Sequence, residues 1–517
     1  MTSTSSASSS RAEAEHWRKL PHTPRVSLPN PDPTTARQSN SLWSPDRRPL
    51  TVGLVLTITL VAAEALAVTT AMPIVARELG GLELYGAVFS AFFLGSLIGI
   101  TIIGGLIDER GVLFPFVLGL GLFTVGLLVC GFATSMPMVV VGRFIQGIGG
   151  GAVPPVAYVA IGRSLPEHLR PRMFATLSGA WVVPGLIGPA IAGFVAETWH
   201  WRVVFLGLLP LIALAGTMAT RAMRSIPKGV EAASATSATS AASVADAGAQ
   251  VGVRRARVRR YTLAVATAVG AGILTTGLLQ SEPVVLLPMA ALGIAVGSFA
   301  FQRLTPAGTL RLARGYPAAV LLRGVLTFAF FCVDANITLL LQEVRGWSAF
   351  AAGIALSGAT VSWSIGAWYQ SRHSLRIGPE RFVRIGFPVV ALGMAGTLLA
   401  LLPAVPAWVA IPFLAVAGLG MGLSYSQFAI IVLRDAPPEN QGAITAAVTL
   451  SDALGTALGT GIAGALIAAA VRAGSGPGPG LGAAIAMGVG VAMLGFLAAP
   501  RLWHRGAPAI VPEAARG

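Results

Sequence analysis

Of the 517 residues 54% are apolar and 11% charged, with a mean hydropathy of +0.74, where soluble domains carry about 25% charged residues. Runs of about 20 apolar residues recur almost end to end, the length that crosses a bilayer as a helix, which excludes a soluble fold and a secreted disulfide scaffold. The 36 basic against 21 acidic residues give a formal charge of +15, and its meaning depends on where those residues lie.

In chain order, residues 1–50 are rich in Ser, Thr, Pro and Arg without an apolar run. They read as a disordered cytoplasmic tail and not as a signal peptide. Six spans are expected next, at Thr51–Ala76, Gly86–Leu106, Leu113–Phe132, Met138–Ile161, Phe174–Val195 and Val203–Met223, forming an N-terminal bundle over 51–223. Residues 224–260 are Ala/Ser/Thr-rich and close on Arg254, Arg255, Arg257, Arg259 and Arg260, the pattern of a basic flexible linker. Two additional spans, Thr262–Leu279 and Val284–Phe301, occupy 261–302. A second bundle over 303–499 is expected from Ala318–Leu341, Ala349–Tyr369, Val383–Leu402, Trp408–Leu433, Ile444–Val471 and Leu481–Ala499, with a cytoplasmic tail at 500–517. The fold class is thus all-α and polytopic, with fourteen transmembrane helices.

Placement gives the charge its meaning. With these spans, the loops of one side carry only Arg77, Arg202, Arg345 and Arg472, and the basic excess on the other side marks it as cytoplasmic. Both termini are then cytoplasmic, the lipid bilayer is the partner of the basic surface, and nucleic-acid binding is not expected. Sliding the chain by 271 residues aligns Gly147, Gly149 and Gly151 with Gly418, Gly420 and Gly422, Arg163 and Pro166 with Arg434 and Pro437, and Ile191-Ala192-Gly193 with Ile462-Ala463-Gly464. Repeated halves in a membrane protein suggest a transporter whose site lies at the repeat interface near the midplane.

Charges inside the bilayer are costly, about 2.5–3.5 kcal/mol each on insertion scales, and are functional candidates for that reason. Glu64 lies 13 residues into the first span, about 20 Å of helix rise, where a carboxyl can take and release a proton or neutralise a cationic solute. Arg143 must pair in the membrane, and Glu64 or a backbone carbonyl is its natural partner. Asp334 falls under the 271-residue shift on Ala63, one position from Glu64, which suggests carboxyls facing one cavity from opposite halves. Asp452 is the third acid, and a hydroxyl such as Ser451 could equally satisfy it. Arg323 lies in or at the edge of a span. Cys130 and Cys332 sit in apolar runs and read as small core residues, no metal site is expected, and the six histidines fall in tails or loops. Phe93, Trp181, Phe331, Trp363 and Tyr425 could line a cavity and stack on flat or cationic substrates, although most such aromatics are ordinary packing.

Five stretches carry a resemblance. Gly104-Gly105-Leu106-Ile107-Asp108-Glu109-Arg110-Gly111 resembles the loop signature of the major facilitator superfamily, and Arg143-Phe144-Ile145-Gln146-Gly147-Ile148-Gly149 resembles its R-x-x-Q-G-x-G motif. Gly185-Leu186-Ile187-Gly188-Pro189, continuing to Gly193, is similar to the antiporter motif. Glu64 with Ala71-Met72-Pro73, and Trp199-His200-Trp201-Arg202 through Phe205 and Pro210, resemble stretches of the fourteen-span drug:proton antiporters, with Glu where that family usually has Asp. The resemblance implies two six-helix bundles related by a pseudo-twofold repeat, and a conformational latch at Gly104, Asp108 and Gly111. Val112 and Leu113 replace the basic residues that usually follow this loop. It also implies a helix seal at Gly185, Gly188 and Pro189, and proton-coupled antiport through Glu64, Asp334 and Asp452. The expected protein is a bacterial plasma-membrane exporter of amphipathic or cationic drugs, working as a monomer on a small-molecule substrate and protons, with no cofactor beyond the proton gradient. A dedicated exporter of one metabolite or antibiotic is the alternative. An enzyme is not expected: neither Lys19 nor Lys228 follows a glycine as a P-loop requires, and no G-x-S-x-G, H-E-x-x-H or Cys/His metal spacing is present.

Overall fold

Apolar runs of 19 to 33 residues can satisfy their backbone in lipid only as helices, and the computed structural model is helical wherever it has regular structure. It describes residues 41–224, 226, 245–437 and 440–503, which leaves 1–40 and 504–517 of the expected tails and about half of the linker outside the described residues. The N-terminal half comprises α1 (Arg48–Leu79), α2 (Tyr85–Arg110), α3 (Leu113–Gly131), α4 (Met136–Ser164), α5 (Arg170–Gly179), α6 (Val182–Val195), α7 (Trp201–Leu206) and α8 (Leu209–Met223). Helices α9 (Ala245–Gly277) and α10 (Pro283–Leu304) form a hairpin. The C-terminal half comprises α11 (Tyr316–Asp334), α12 (Ile337–Leu339), α13 (Ala349–Ile377), α14 (Pro379–Thr397), α15 (Ala410–Ser424), α16 (Gln427–Asp435), α17 (Gln441–Arg472) and α18 (Pro477–Ala498). Prolines in the first turn open α1, α4, α8, α10, α11, α14 and α18, where the missing amide proton would be unpaired in any case. Gly111 ends α2 at φ 73°, a conformation that a Cβ disfavours.

Among the described residues twelve helical stretches are long and apolar enough to cross a membrane, so the chain is a multi-pass membrane protein. One of the twelve, Glu167–Met223, runs through two of the expected spans, while Ala245–Gly277, which covers all but the last two residues of the expected Thr262–Leu279, is not among them. Fourteen therefore remains the expectation from sequence rather than a count by this measure. Helix α9 also reaches back through the basic cluster into the expected linker.

The 271-residue shift recurs helix by helix. Added to Met136–Ser164 it gives 407–435, the stretch from the turn at Ala407 through α15 and α16. It likewise carries α2 onto α13, α3 onto α14 and the α5–α6 segment onto α17. The halves meet where α2 packs on α17 and where α6 packs on α13. Under the repeat these two contacts are equivalents of each other, as a pseudo-twofold requires. Glycine makes both approaches possible: a Cβ on Gly86 would collide with the backbone of Gly464, and one on Gly353 with the carbonyl of Pro189. The hairpin lies on the first contact, with Ala264, Ala268 and Ala271 of α9 packed among Leu94, Leu97 and Ile98 of α2 and Leu450, Ala453 and Ala457 of α17.

Candidate functional site

Glu64 is fully buried in α1 and Arg143 is 2% exposed in α4. Arg143 Nη1 donates to Glu64 Oε1 at 2.5 Å and to Gln146 Oε1 at 2.7 Å, and the guanidinium lies over the Phe92 ring, 4.3 Å from its centroid. The local sequence explains the arrangement. Gly147 and Gly151 let α4 press on the backbone of α2 at Phe92 and Ser96, and Gly149 does the same on α3 at Phe123. The side chains of Arg143 and Gln146 then have only the interior of the half to occupy. Glu64 Oε2, Arg143 Nε and Gln146 Nε2 are buried without a hydrogen-bond partner, a costly condition in a low-dielectric interior.

The C-terminal half holds a second pair on different helices. Arg323 Nε of α11 donates to Asp452 Oδ1 of α17 at 3.0 Å, and the Tyr425 hydroxyl donates to Asp452 Oδ2 at 3.0 Å. The Arg323 guanidinium also lies 3.0 Å from the Tyr425 ring centroid and donates through Nη1 to the Tyr425 carbonyl. That carbonyl is available because the helix breaks at Tyr425-Ser426, between α15 and α16. Under the repeat Tyr425 falls on Pro154 and Asp452 on Trp181, so the two ion pairs are not copies of one ancestral site. The N-terminal pair joins the first and fourth helices of its half; the C-terminal pair joins the first and fifth.

Aromatic rings connect the two pairs. Phe92 meets Phe93 at 5.4 Å between centroids, Phe93 meets Phe331 across the halves at 6.1 Å, and Phe331 meets Phe330 at 5.2 Å. Phe330 meets Trp363 at 5.6 Å, and Trp363 meets Tyr425 at 5.2 Å. The geometries are tilted or edge-to-face, as ring quadrupoles favour. Of the aromatics singled out in the sequence, Phe93, Phe331, Trp363 and Tyr425 belong to this ladder. Trp181 does not: it is 48% exposed at the break before α6.

Asp334 stands apart. It ends α11 at the level of Glu64 in the repeat, half-buried, and among the described residues its carboxylate has neither an ion pair nor a hydrogen bond. Its neighbour Asn336 donates to the Cys332 carbonyl at 2.8 Å. Both cysteines are buried free thiols.

Of the expected latch, Gly111 takes the left-handed turn that only glycine suits, and a Cβ on Gly104 would meet open space. The Asp108 side chain lies outside the described residues. The same loop docks on α9: Glu109 pairs with Arg257, and Gly105 faces Tyr261. In the expected seal, Gly185 faces Thr360 and Pro189 faces Gly353 of α13, while a Cβ on Gly188 would reach only Pro184 of its own helix; Gly193 makes the third close approach, at Ala349. The residue that the sequence reading passed over is Arg323. A span containing Arg323 requires a counter-charge and Asp452 lacked one, but nothing in the sequence paired the two.

A model of the Major Facilitator Superfamily matches residues 52–460. Multidrug resistance protein 3 of Bacillus subtilis is 30% identical over 184 residues, 36% of this chain and 35% of its own length. An uncharacterised MFS-type transporter of Mycobacterium tuberculosis is 26% identical over 432 residues, covering 81% of this chain and 60% of its own length. The chain thus spans about a third of the length of the multidrug relative it matches. Among solved structures, a bacterial homologue of the human lysosomal transporter Spinster, inward-facing and unoccupied, aligns over 89% of this chain and 99% of its own with a TM-score of 0.59 at 16% identity. A D-xylose-proton symporter aligns over 89% and 98% with a TM-score of 0.58 at 14% identity.

Proposed function

This chain belongs to the Major Facilitator Superfamily, and we propose that it is a secondary active transporter, not an enzyme, that exports amphipathic or cationic small molecules in exchange for protons. The observation that carries the reading is the pair of buried carboxylate–guanidinium sites, one in each half, joined across the interface by the aromatic ladder. A proton arriving at Glu64 has a vacant acceptor in Oε2. Protonation removes the charge that holds Arg143, and the guanidinium must find a new partner or the helices must move. Charge and conformation are coupled in that way, because an uncompensated cation in this interior is costly. Asp452, partly exposed at 22% of its side chain, and the unpaired Asp334 are the further carboxylates available to protons. Flat rings along the ladder stack on a planar solute, and their faces favour a positive charge.

The arginine excess of the loops on one side supports both termini being cytoplasmic, in a monomer of the bacterial plasma membrane. The cross-half hydrogen bonds then lie at the outer ends of the spans: Tyr85 to the Ala335 carbonyl, Thr338 to the Thr69 carbonyl, and Gln342 to the Thr70 carbonyl. In this reading the structure is the outward-closed state of an alternating-access cycle. Multidrug efflux is supported by the similarity to multidrug resistance protein 3 of Bacillus subtilis. The test is accumulation of a fluorescent cationic dye in everted vesicles under an imposed pH gradient. Wild type concentrates the dye and Glu64→Gln does not; gradient-driven uptake by Glu64→Gln equal to wild type would overturn proton coupling through this residue.

A further inference from the structure

Helix α13 begins at Ala349, and its first amides need acceptors from outside the helix. Ser348 serves as the N-cap in the ordinary way: its side-chain oxygen accepts from the Ala351 amide at 3.1 Å and its carbonyl from the Ala352 amide at 3.0 Å. The remaining two donors are satisfied from the other half of the molecule. The Ala349 amide donates to Glu197 Oε1 at 2.5 Å and the Phe350 amide to Glu197 Oε2 at 3.4 Å. Glu197 sits in the π-helical turn Ala196–His200 that prolongs α6. It is held against α13 because Gly193, one turn earlier, lets the two backbones touch at Ala349.

We infer that Glu197 is a latch of the outward-closed state, acting as a shared helix cap: the N-terminal half completes the first turn of a C-terminal helix only while the outer ends are together. Parting α6 from α13 strips two amides of their acceptor, so the cap's stabilisation belongs to one conformation and biases the equilibrium toward it. The other outer contacts are weaker candidates for such a role. The neutral hydrogen bonds of Tyr85, Thr338 and Gln342 carry no charge, and the Arg77–Glu343 ion pair at 3.1 Å has its arginine side chain 59% exposed, where pairs contribute little. Glu197 is itself exposed, so the expected effect is that of losing one helix cap, about fivefold in the equilibrium. Glu197 acts through the helices and touches no substrate, which makes it a positioning residue. The inference rests on the alternating-access reading.

The test uses the full chain in lipid nanodiscs, with Cys130 and Cys332 replaced by alanine and spin labels on cysteines at Thr134 and Ser475. Both positions are exposed, on the outer loops of opposite halves. Pulsed electron–electron distance measurements on the wild-type background should give a dominant short distance and a minor long one. Glu197→Ala should raise the long population about fivefold. Ala349→Pro removes the first donor from the opposite half, and it suits the fold because proline is favoured at a first helical position and Ser348, at ψ 152°, already has the backbone that precedes proline. It should produce a similar shift, and the double variant should add nothing further. Unchanged populations in both single variants, or additive shifts in the double variant, would overturn the latch while leaving alternating access intact. A single outer distance in every variant would overturn alternating access itself.

Discussion

The two ion pairs show what a charged residue needs in order to exist within a span. Arg143 and Glu64 neutralise each other in full burial, and the remaining valences of the site are left incomplete. Removing one partner of such a pair costs about 3–5 kcal/mol because the other charge stays behind, whereas replacing both by apolar residues of similar volume is close to neutral. Arg143→Met alone should therefore lower the detergent-solubilised protein's thermal stability markedly, and Glu64→Leu with Arg143→Met should recover most of it while gradient-driven transport stays absent. Equal stability of the single and double variants would show that the pair is not energetically coupled. At the second site Tyr425→Phe keeps a ring under Arg323 and deletes only the hydroxyl that donates to Asp452. If Asp452 takes part in coupling, gradient-driven export should fall several-fold while dye exchange without a gradient is preserved; loss of both activities alike would assign the hydroxyl to folding. Glu64 with Arg143 was legible from the sequence because a buried charge demands a partner and few were available. The partner of Asp452 was not, because Arg323 is only the eighth residue of its helix and reads equally well as an interfacial residue that reaches out to water.

Helices in this protein are positioned chiefly by what their glycines permit. Gly95 and Gly99 of α2 face the α4 backbone at Phe144 and Ile148, and Gly147 and Gly151 of α4 face the α2 backbone at Phe92 and Ser96, a mutual interlock of small residues of the kind that drives association in lipid. Gly147→Val would thrust a branched side chain into the Phe92 carbonyl and shift the ring beneath Arg143. Overpacking of this sort costs about 1–3 kcal/mol, and the variant should show a lowered melting temperature with transport reduced beyond its loss of folded protein. Transport proportional to folded protein would separate the packing from the site. Gly147, Gly149 and Gly151 stood out in the sequence as repeat and motif positions, but nothing there named α2 as the helix they meet. Helix breaks were harder to read. The expected span Met138–Ile161 ran through Pro154-Pro155, and α4 is continuous there, because proline's preferred φ is helical although each of the two removes one backbone hydrogen bond. The break that matters, at Tyr425-Ser426, has neither proline nor glycine. It coincides with a guanidinium from another helix that takes the freed carbonyl, a tertiary cause that leaves no local trace.

At the scale of the whole molecule, hydropathy and the 271-residue repeat made the two-half architecture readable, because a span in lipid has little freedom to be anything but a helix and a duplicated half must pack as its copy does. The hairpin α9–α10 was readable only as two plain spans. That it rests on both α2 and α17, and that Arg257 pairs with Glu109 beside the glycine loop, depends on surfaces that no run of sequence displays. The proposed orientation rests on charge: the loops at Thr134 and Ser475 belong to the arginine-poor side, and the loop at His168 lies on the opposite side near Arg163, Arg170 and Arg172. Single cysteines at these three exposed positions, in a background with Cys130 and Cys332 replaced, provide a direct check with a membrane-impermeant maleimide. Those at Thr134 and Ser475 should react in intact cells, and that at His168 only in everted vesicles or after permeabilisation. The opposite pattern would place the hydrogen-bonded seal on the cytoplasmic side, and the state closed in this structure would then be the one that faces out.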